Sequence, residues 1–263
     1  MRPARSDAPP RRAWVEQIMG LPVSVHVRGT ELTSAQVEGR VQAVFADLHR
    51  ADSVFSTYRN DSDLSRWENG ALRPEDADPA LAQVLALCEE ARQGTGGWFD
   101  PRGLPDPIDG RLRYDPSGLV KGWAVERASR HMAELGDHDW CLNAGGDIVV
   151  FTSAGNAAWR VGIEDPADPQ RVMAVVPLRV GAMATSGISH RGAHIIDPFT
   201  RRPATALRSV SVTGPSLLWS DVYATAAFAM GGQALDWLEG VSGYEALLID
   251  IGGSAITTGG WRA

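Results

Sequence analysis

The chain has 263 residues, 44% hydrophobic and 22% charged, a composition that suits a folded globular protein and not a disordered or fibrous one. A formal net charge of −7 argues against the basic footprint of a nucleic-acid partner, so any polyanion has to be bound locally. No apolar run is long enough to cross a membrane, and no insertion is expected.

Residues 1–12 are rich in Arg and Pro and read as a flexible tail, leaving 13–263 as a single domain, with two lobes as the alternative. No secretory apolar segment follows the tail, which gives the expectation of a cytoplasmic protein. Residues 14–27 read as a strand region in which Val23, Val25 and Val27 alternate with polar neighbours. Thr33 or Ser34 caps a helix whose stripe is Val37, Val41, Val44, Leu48 and Ala51. Asp78-Pro79 opens a second helix, with Leu81, Val84, Leu85 and Cys88 inward and Gly94 as its stop. A third runs over 118–135. Further strands are expected at 140–151, 159–164, 172–178, 209–213 and 246–251, interrupted by one long helix at 216–238. Strands in runs, instead of regular alternation with helices, predict an α+β fold with a mixed or mainly antiparallel sheet and flanking helices. Cys88 and Cys141, the only cysteines, have no metal or redox spacing and read as small buried apolar residues.

The common nucleotide and hydrolase motifs are missing: no GxGxxG after a strand, no GxxxxGK[ST], no GxSxG and no HExxH. Five other segments are too polar and too Gly-rich for their surroundings. They are Phe55-Ser56-Thr57-Tyr58 with Asp61 and Asp63; Gly96-Gly97-Trp98-Phe99-Asp100-Pro101; Asp115-Pro116-Ser117-Gly118-Leu119-Val120-Lys121-Gly122-Trp123; Asn143-Ala144-Gly145-Gly146-Asp147; and a C-terminal set. That set comprises Ala184-Thr185-Ser186-Gly187, His194-Ile195-Ile196-Asp197-Pro198 and Ser220-Asp221-Val222-Tyr223-Ala224-Thr225. Taken singly, Asp115-Pro116-Ser117 fits a helix cap and 143–147 a bulge or sharp turn. Lys121 is the single lysine among 25 Lys and Arg, which hints at a site that needs a compact cation and not a planar guanidinium. Asp221 and Thr225, at i and i+4, share one helix face and could hold an oxygen-loving cation with help from carbonyl and phosphate oxygens.

Together, in this order and spacing, the segments resemble the ApbE flavin transferases over most of the chain, from about Met19 to Met230. The resemblance implies a Mg²⁺-dependent enzyme that splits FAD, releases AMP and esterifies FMN to a Ser or Thr hydroxyl of an acceptor protein bearing a flavinylation motif. A Mg²⁺-dependent FAD pyrophosphatase and a non-catalytic FAD carrier are the alternatives. By the same resemblance Tyr58 stacks on the isoalloxazine, and Met19, Trp98, Phe99 and Asp100 line its pocket. Asp115 hydrogen-bonds the nucleoside portion, while Lys121 and Ile196 contact the cofactor. Gly118, through its carbonyl, Asp221 and Thr225 hold the Mg²⁺. A hydroxyl nucleophile needs a base, and His194 is the candidate, with Asp197 close enough in sequence to orient it. Two departures from the family pattern stand out: Leu21 follows Met-Gly where Thr is common, and Arg201 takes the place of a turn glycine.

Overall fold

The computed structural model describes residues 9–105, 112–189, 192 and 194–262; the first eight residues of the expected tail lie outside the described residues. β1 (Arg11–Ile18) and β2 (Leu21–Arg28) form an antiparallel hairpin. Its turn is Met19-Gly20, at φ 54° and 70°, the two-residue geometry that matches strand twist. The strand region expected at 14–27 is therefore two strands, and β1 begins inside the stretch read as tail. Met rarely adopts a left-handed backbone, so residue type gives no signal of this turn.

α1 (Ala35–Phe55) starts where expected, with the Ser34 hydroxyl accepting from Val37 N at 3.3 Å, and the whole Val37-to-Ala51 stripe is buried. The short α2 (Asp63–Glu68) precedes α3 (Pro79–Gly94), which Asp78 caps by accepting from Ala80 N. The small β3 (Arg102–Pro105) and β4 (Leu112–Tyr114) pair ahead of α4 (Ser117–Ala133). β5 (Asp139–Ala144) and β6 (Asp147–Phe151) split the expected strand at 140–151, because Gly145 and Gly146 turn the chain at φ 60° and 100°. β7 (Trp159–Asp165) and β8 (Asp168–Leu178) make a separate hairpin, followed by β9 (Val180–Gly187). β10 (Ile196–Asp197) and β11 (Arg202–Pro203) form a small hairpin before β12 (Leu207–Gly214). The long helix expected at 216–238 is two: α5 (Leu217–Met230) and α6 (Ala234–Glu239), separated by a tight turn. Gly231 makes the break at φ 64°, and a Cβ there would lie 2.8 Å from that of Ala206. β13 (Glu245–Asp250) and β14 (Ala255–Thr257) complete the chain.

The main sheet has the order β1-β2-β5-β6-β9-β12-β13-β14 with every neighbouring pair antiparallel. The α+β expectation holds, and the sheet is antiparallel throughout. Strand alternation sorts its residues onto two faces. Val25, Leu142, Val149, Ala182, Ala184, Val210 and Val212 join the helices in the larger core, whereas Ile148, Val150, Met183 and Ile249 meet the β7–β8 hairpin in a smaller one. Cys88 and Cys141 are buried, and burial pushes both thiols up to about 12. Both therefore stay protonated and pack as apolar groups. No helix among the described residues is long and apolar enough to cross a membrane.

α4 and α5 cross at their closest where Gly122 faces the first turns of α5. A Cβ on Gly122 would sit 2.8 Å from Leu217 O, 3.0 Å from Leu218 Cα and 3.1 Å from Asp221 Cβ. Two of these three are main-chain atoms, so one helix has to shift to admit a methyl group. Gly122→Ala should therefore cost about 1–3 kcal/mol, the range for forced overpacking. Urea denaturation checks this: a lower midpoint at unchanged slope is expected, and an unchanged midpoint would show that the crossing has slack.

Candidate active site

The Gly122 crossing brings three oxygen-bearing groups together. Gly122 N lies 3.3 Å from Asp221 Oδ2, and the Asp221 side chain is buried, with 2% of the residue exposed. In a helix the carbonyl of residue i points at the amide of i+4, so the Gly118 carbonyl is directed at the same Gly122 amide. One turn along α5, Thr225 Oγ1 lies 3.2 Å from where a Cβ on Gly118 would be. Gly118 and Gly122, one turn apart on α4, thus pack against Thr225 and Asp221, one turn apart on α5. Ser186, on the helix-facing side of β9, adds a hydroxyl 3.1 Å from Thr225 Oγ1.

Lys121 sits three residues past Gly118, on the same side of α4. Its Nζ is 2.5 Å from Asp147 Oδ2, and the side chain keeps 19% of its surface exposed. Asp147 follows the Gly145-Gly146 turn, where Asn143 Oδ1 accepts from Gly146 N at 2.9 Å. The 143–147 segment is thus a sharp hairpin turn. Its partner turn is adjacent: Gly145 N donates to Pro22 O at 3.2 Å, and the Leu21 side chain reaches to 3.0 Å from a Gly145 Cβ position. Met19 belongs to that same end of the sheet.

The 98–101 segment closes onto the start of α4. Asp115 N donates to Pro101 O at 2.7 Å, and Asp115 Oδ1 accepts from Ser117 N at 3.0 Å, while the N-cap position of α4 itself is Pro116, with no side-chain cap bond. The buried Phe99 ring lies 3.3 Å from a Gly118 Cβ position. Trp98 meets Phe199 edge-on at 4.7 Å between ring centres, which ties the 98–101 segment to the β10–β11 hairpin. Asp100 is chelated by Arg102, with Nε and Nη2 each at 2.8 Å. Partial burial works against its ionised form, but the Arg102 bonds outweigh it and hold the carboxyl below the usual carboxylate range.

The remaining residues are placed differently. His194 is exposed, and its Nδ1 lies 3.0 Å from Gly192 O. A carbonyl only accepts, so Nδ1 carries a hydrogen, and in the neutral ring this leaves the lone pair on Nε2. Asp197 does not face this ring through any hydrogen bond among the described residues. Its Oδ1 accepts from Phe199 N at 2.8 Å and Thr200 N at 3.1 Å, shaping the hairpin turn instead. Ile196 is half-buried in β10. Tyr58 lies in the loop after α1 with 98% of its surface exposed; three residues earlier, Phe55 packs edge-on against Trp123 of α4.

A family-level sequence profile described as the ApbE family matches residues 19–105 and 108–248. The chain belongs to the ApbE family. A curated FAD:protein FMN transferase of Klebsiella pneumoniae is 26% identical over 262 aligned positions, covering 76% of this chain and 73% of that protein. Its namesake in Vibrio cholerae is 28% identical over 239, covering 71% and 72%. A Rhodobacter capsulatus protein of the same name is 37% identical over 135 residues, and the match takes in 48% of this chain and 25% of that longer protein. The solved flavin transferase ApbE from Vibrio cholerae has a TM-score of 0.81 at 20% identity, covering 95% of this chain and 98% of that one. The Thermotoga maritima ApbE protein gives 0.79 at 21%, covering 95% and 97%. These structural likenesses establish the fold.

Within this ApbE-family chain, two residues at the site were left out of the sequence reading, Ser186 and Asp147. Both stand in segments that it singled out. The available signal was strand alternation, which puts them on the helix-facing side of their strands, beside Ala184 and Val149. Arg201, in the place of a turn glycine, adopts φ 58° and reaches Arg102 O and Gly103 O with Nη1, both at 3.3 Å. Arg201→Ala and Arg201→Gly lose the same two bonds, but only glycine also relieves the left-handed backbone. The glycine variant should therefore be more stable than the alanine variant by about 1 kcal/mol, measured by chemical denaturation. Equal stabilities would mean that the backbone at Arg201 is unstrained.

Proposed function

We propose that the chain is an FAD:protein FMN transferase that uses Mg²⁺ and delivers FMN to a Ser or Thr hydroxyl of an acceptor protein. The observation that carries this reading is the packing of the Gly118–Gly122 turn of α4 against the Asp221 carboxylate and the Thr225 hydroxyl, beside the only lysine in the chain. These are hard oxygen donors, with a single carboxylate among them. Mg²⁺ suits such a set, because it commonly takes one or two protein oxygens and completes its shell with phosphate oxygens and water. Among the described residues no three His, Cys, Asp or Glu side chains cluster as metal ligands, so substrate oxygens are a natural part of this shell. The names carried by the relatives agree with the reading.

The chemistry is a phosphoryl transfer. The acceptor hydroxyl oxygen bonds to the phosphorus on the FMN side of the pyrophosphate, the bond from that phosphorus to the bridging oxygen breaks, and AMP leaves with that oxygen. Bound Mg²⁺ would neutralise charge on the phosphate oxygens. Lys121 supplies a second positive charge from the same side of α4. His194, with its hydrogen held on Nδ1 by Gly192 O, offers Nε2 to take the proton of the acceptor hydroxyl. Asp197 enters through the turn that it shapes and not through the imidazole. Phe99, Trp98 and Met19 supply an apolar wall for the isoalloxazine, Asp100 is fixed beside it by Arg102, and Tyr58 provides an exposed ring able to stack on it. Asp115, at the start of α4, is the contact for the nucleoside portion of FAD, and Ile196 contacts the cofactor beside His194.

Incubation with FAD, Mg²⁺ and an acceptor domain bearing a reactive Ser or Thr tests this. AMP release together with an FMN-sized mass gain on the acceptor is expected, and Asp221→Asn should slow both by roughly 100-fold or more, the scale of losing one preorganised charge-stabilising group. AMP with free FMN and an unlabelled acceptor would replace the transferase with a pyrophosphatase; intact bound FAD would replace it with a carrier.

A further inference from the structure

Asp147 is a fully buried carboxylate with no part in the mechanism above. Its side chain is 1% exposed and its Oδ2 lies 2.5 Å from Lys121 Nζ. Its Oδ1 accepts from Thr185 N at 3.2 Å. The next residue of β9, Ser186, holds Thr225 Oγ1. One carboxylate therefore links the lysine of α4 to the strand whose hydroxyl orders the threonine of α5. Burying a charge is costly unless it is paired, and a hydrophobic pair of similar volume would hold α4 on the sheet at least as well. Adhesion between helix and sheet thus does not explain why charges stand here.

We propose that Asp147 is a positioning residue: it fixes the ammonium of Lys121 where the phosphates of FAD bind. This rests on the transferase reading. A lysine stem has four methylenes and many rotamers, so its charge is well placed only when something holds its end. Asp147 is suited to this because the Gly145-Gly146 turn and the Ala144–Asp147 pairing fix its backbone, and the Thr185 amide fixes its carboxylate. An ammonium has three N–H donors, so an ion pair with Asp147 is compatible with contacts to phosphate oxygens.

The single lysine makes the test direct, because protein labelled with ¹³Cε-lysine gives one side-chain signal. In the wild type this signal should lie away from the position of a free lysine and move when FAD is added without metal. Asp147→Asn keeps an acceptor for the Thr185 amide and removes the charge. It should move the signal from its wild-type position, weaken the response to FAD and lower kcat for AMP release about tenfold or more, with KM for FAD changed far less. In a Lys121→Met background the same substitution should cost no further activity, because a residue acting only through Lys121 is silent without it. Should Asp147→Asn fold poorly, Asp147→Glu carries the test: the charge stays but moves by one methylene, and the signal and kcat should still change. An unchanged lysine signal and kcat in a folded Asp147 variant, or additive losses in the Lys121→Met background, would overturn the proposal. A wild-type protein that releases no AMP would count against the transferase reading alone, and the response of the lysine signal to FAD would then decide this one.

Discussion

Two helices approach so closely at Gly122 that no side chain fits between them, and the arrangement of the site depends on that approach. A larger residue there would push α5 outward and carry Asp221 and Thr225 with it. The approach also sets Asp221 Oδ2 against a main-chain amide, which helps to fix the orientation of a buried carboxylate. Glu126, one turn further along α4, accepts from the Ser216 hydroxyl and from Leu218 N and so anchors the start of α5 from the same neighbour. α4 thereby fixes both the distance of α5 and the position of its first turn.

The sheet supplies the second half of the arrangement. Its helix-facing side is lined near the site by small residues, Ala182 and Ala184 in β9, which let α5 lie close. Alternation then aims Ser186 at Thr225, and in β6 aims Asp147 at Lys121. The two glycine-containing turns, Met19-Gly20 and Gly145-Gly146, lie side by side at this end. On the other flank the β10–β11 hairpin is held to the 98–103 segment by the Trp98–Phe199 contact and by the Arg201 guanidinium. The carboxylate of Asp197 serves that hairpin turn, and its placement follows from geometry: the amides of residues two and three positions on lie within reach, as in a turn begun by Asp.

Much of the framework was legible in the sequence. The stripe from Val37 to Ala51 and the cap at Ser34 gave the first helix, and the alternation of Val23, Val25 and Val27 gave a central strand. The joint pattern of polar, Gly-rich segments singled out Gly118, Asp221 and Thr225, which lie on facing turns of α4 and α5. What failed were the breaks. Met19 turns a hairpin without a turn-forming side chain of its own. Gly145 and Gly146 sit inside an apolar run that reads as one strand, and Gly231 interrupts a helix whose apolar pattern continues on both sides. β9 was missed because Ala, Ser, Thr and Gly in 181–187 have little strand propensity, and packing against α5 decides their state. The partners of side chains were less legible still, since Asp147 with Lys121 and Ser186 with Thr225 are pairs made only by tertiary structure.

In the proposed enzyme the facing turns of α4 and α5 bind a divalent cation together with the pyrophosphate of FAD. Mn²⁺ serves as a paramagnetic probe for that cation, and ³¹P NMR of FAD bound to the protein reads its distance to the phosphates. Strong broadening of both pyrophosphate signals at substoichiometric Mn²⁺ in the wild type, lost when Asp221 and Thr225 are both replaced by alanine in a protein that still binds FAD, is the result expected. Broadening that survives both substitutions would place the cation elsewhere and contradict the account.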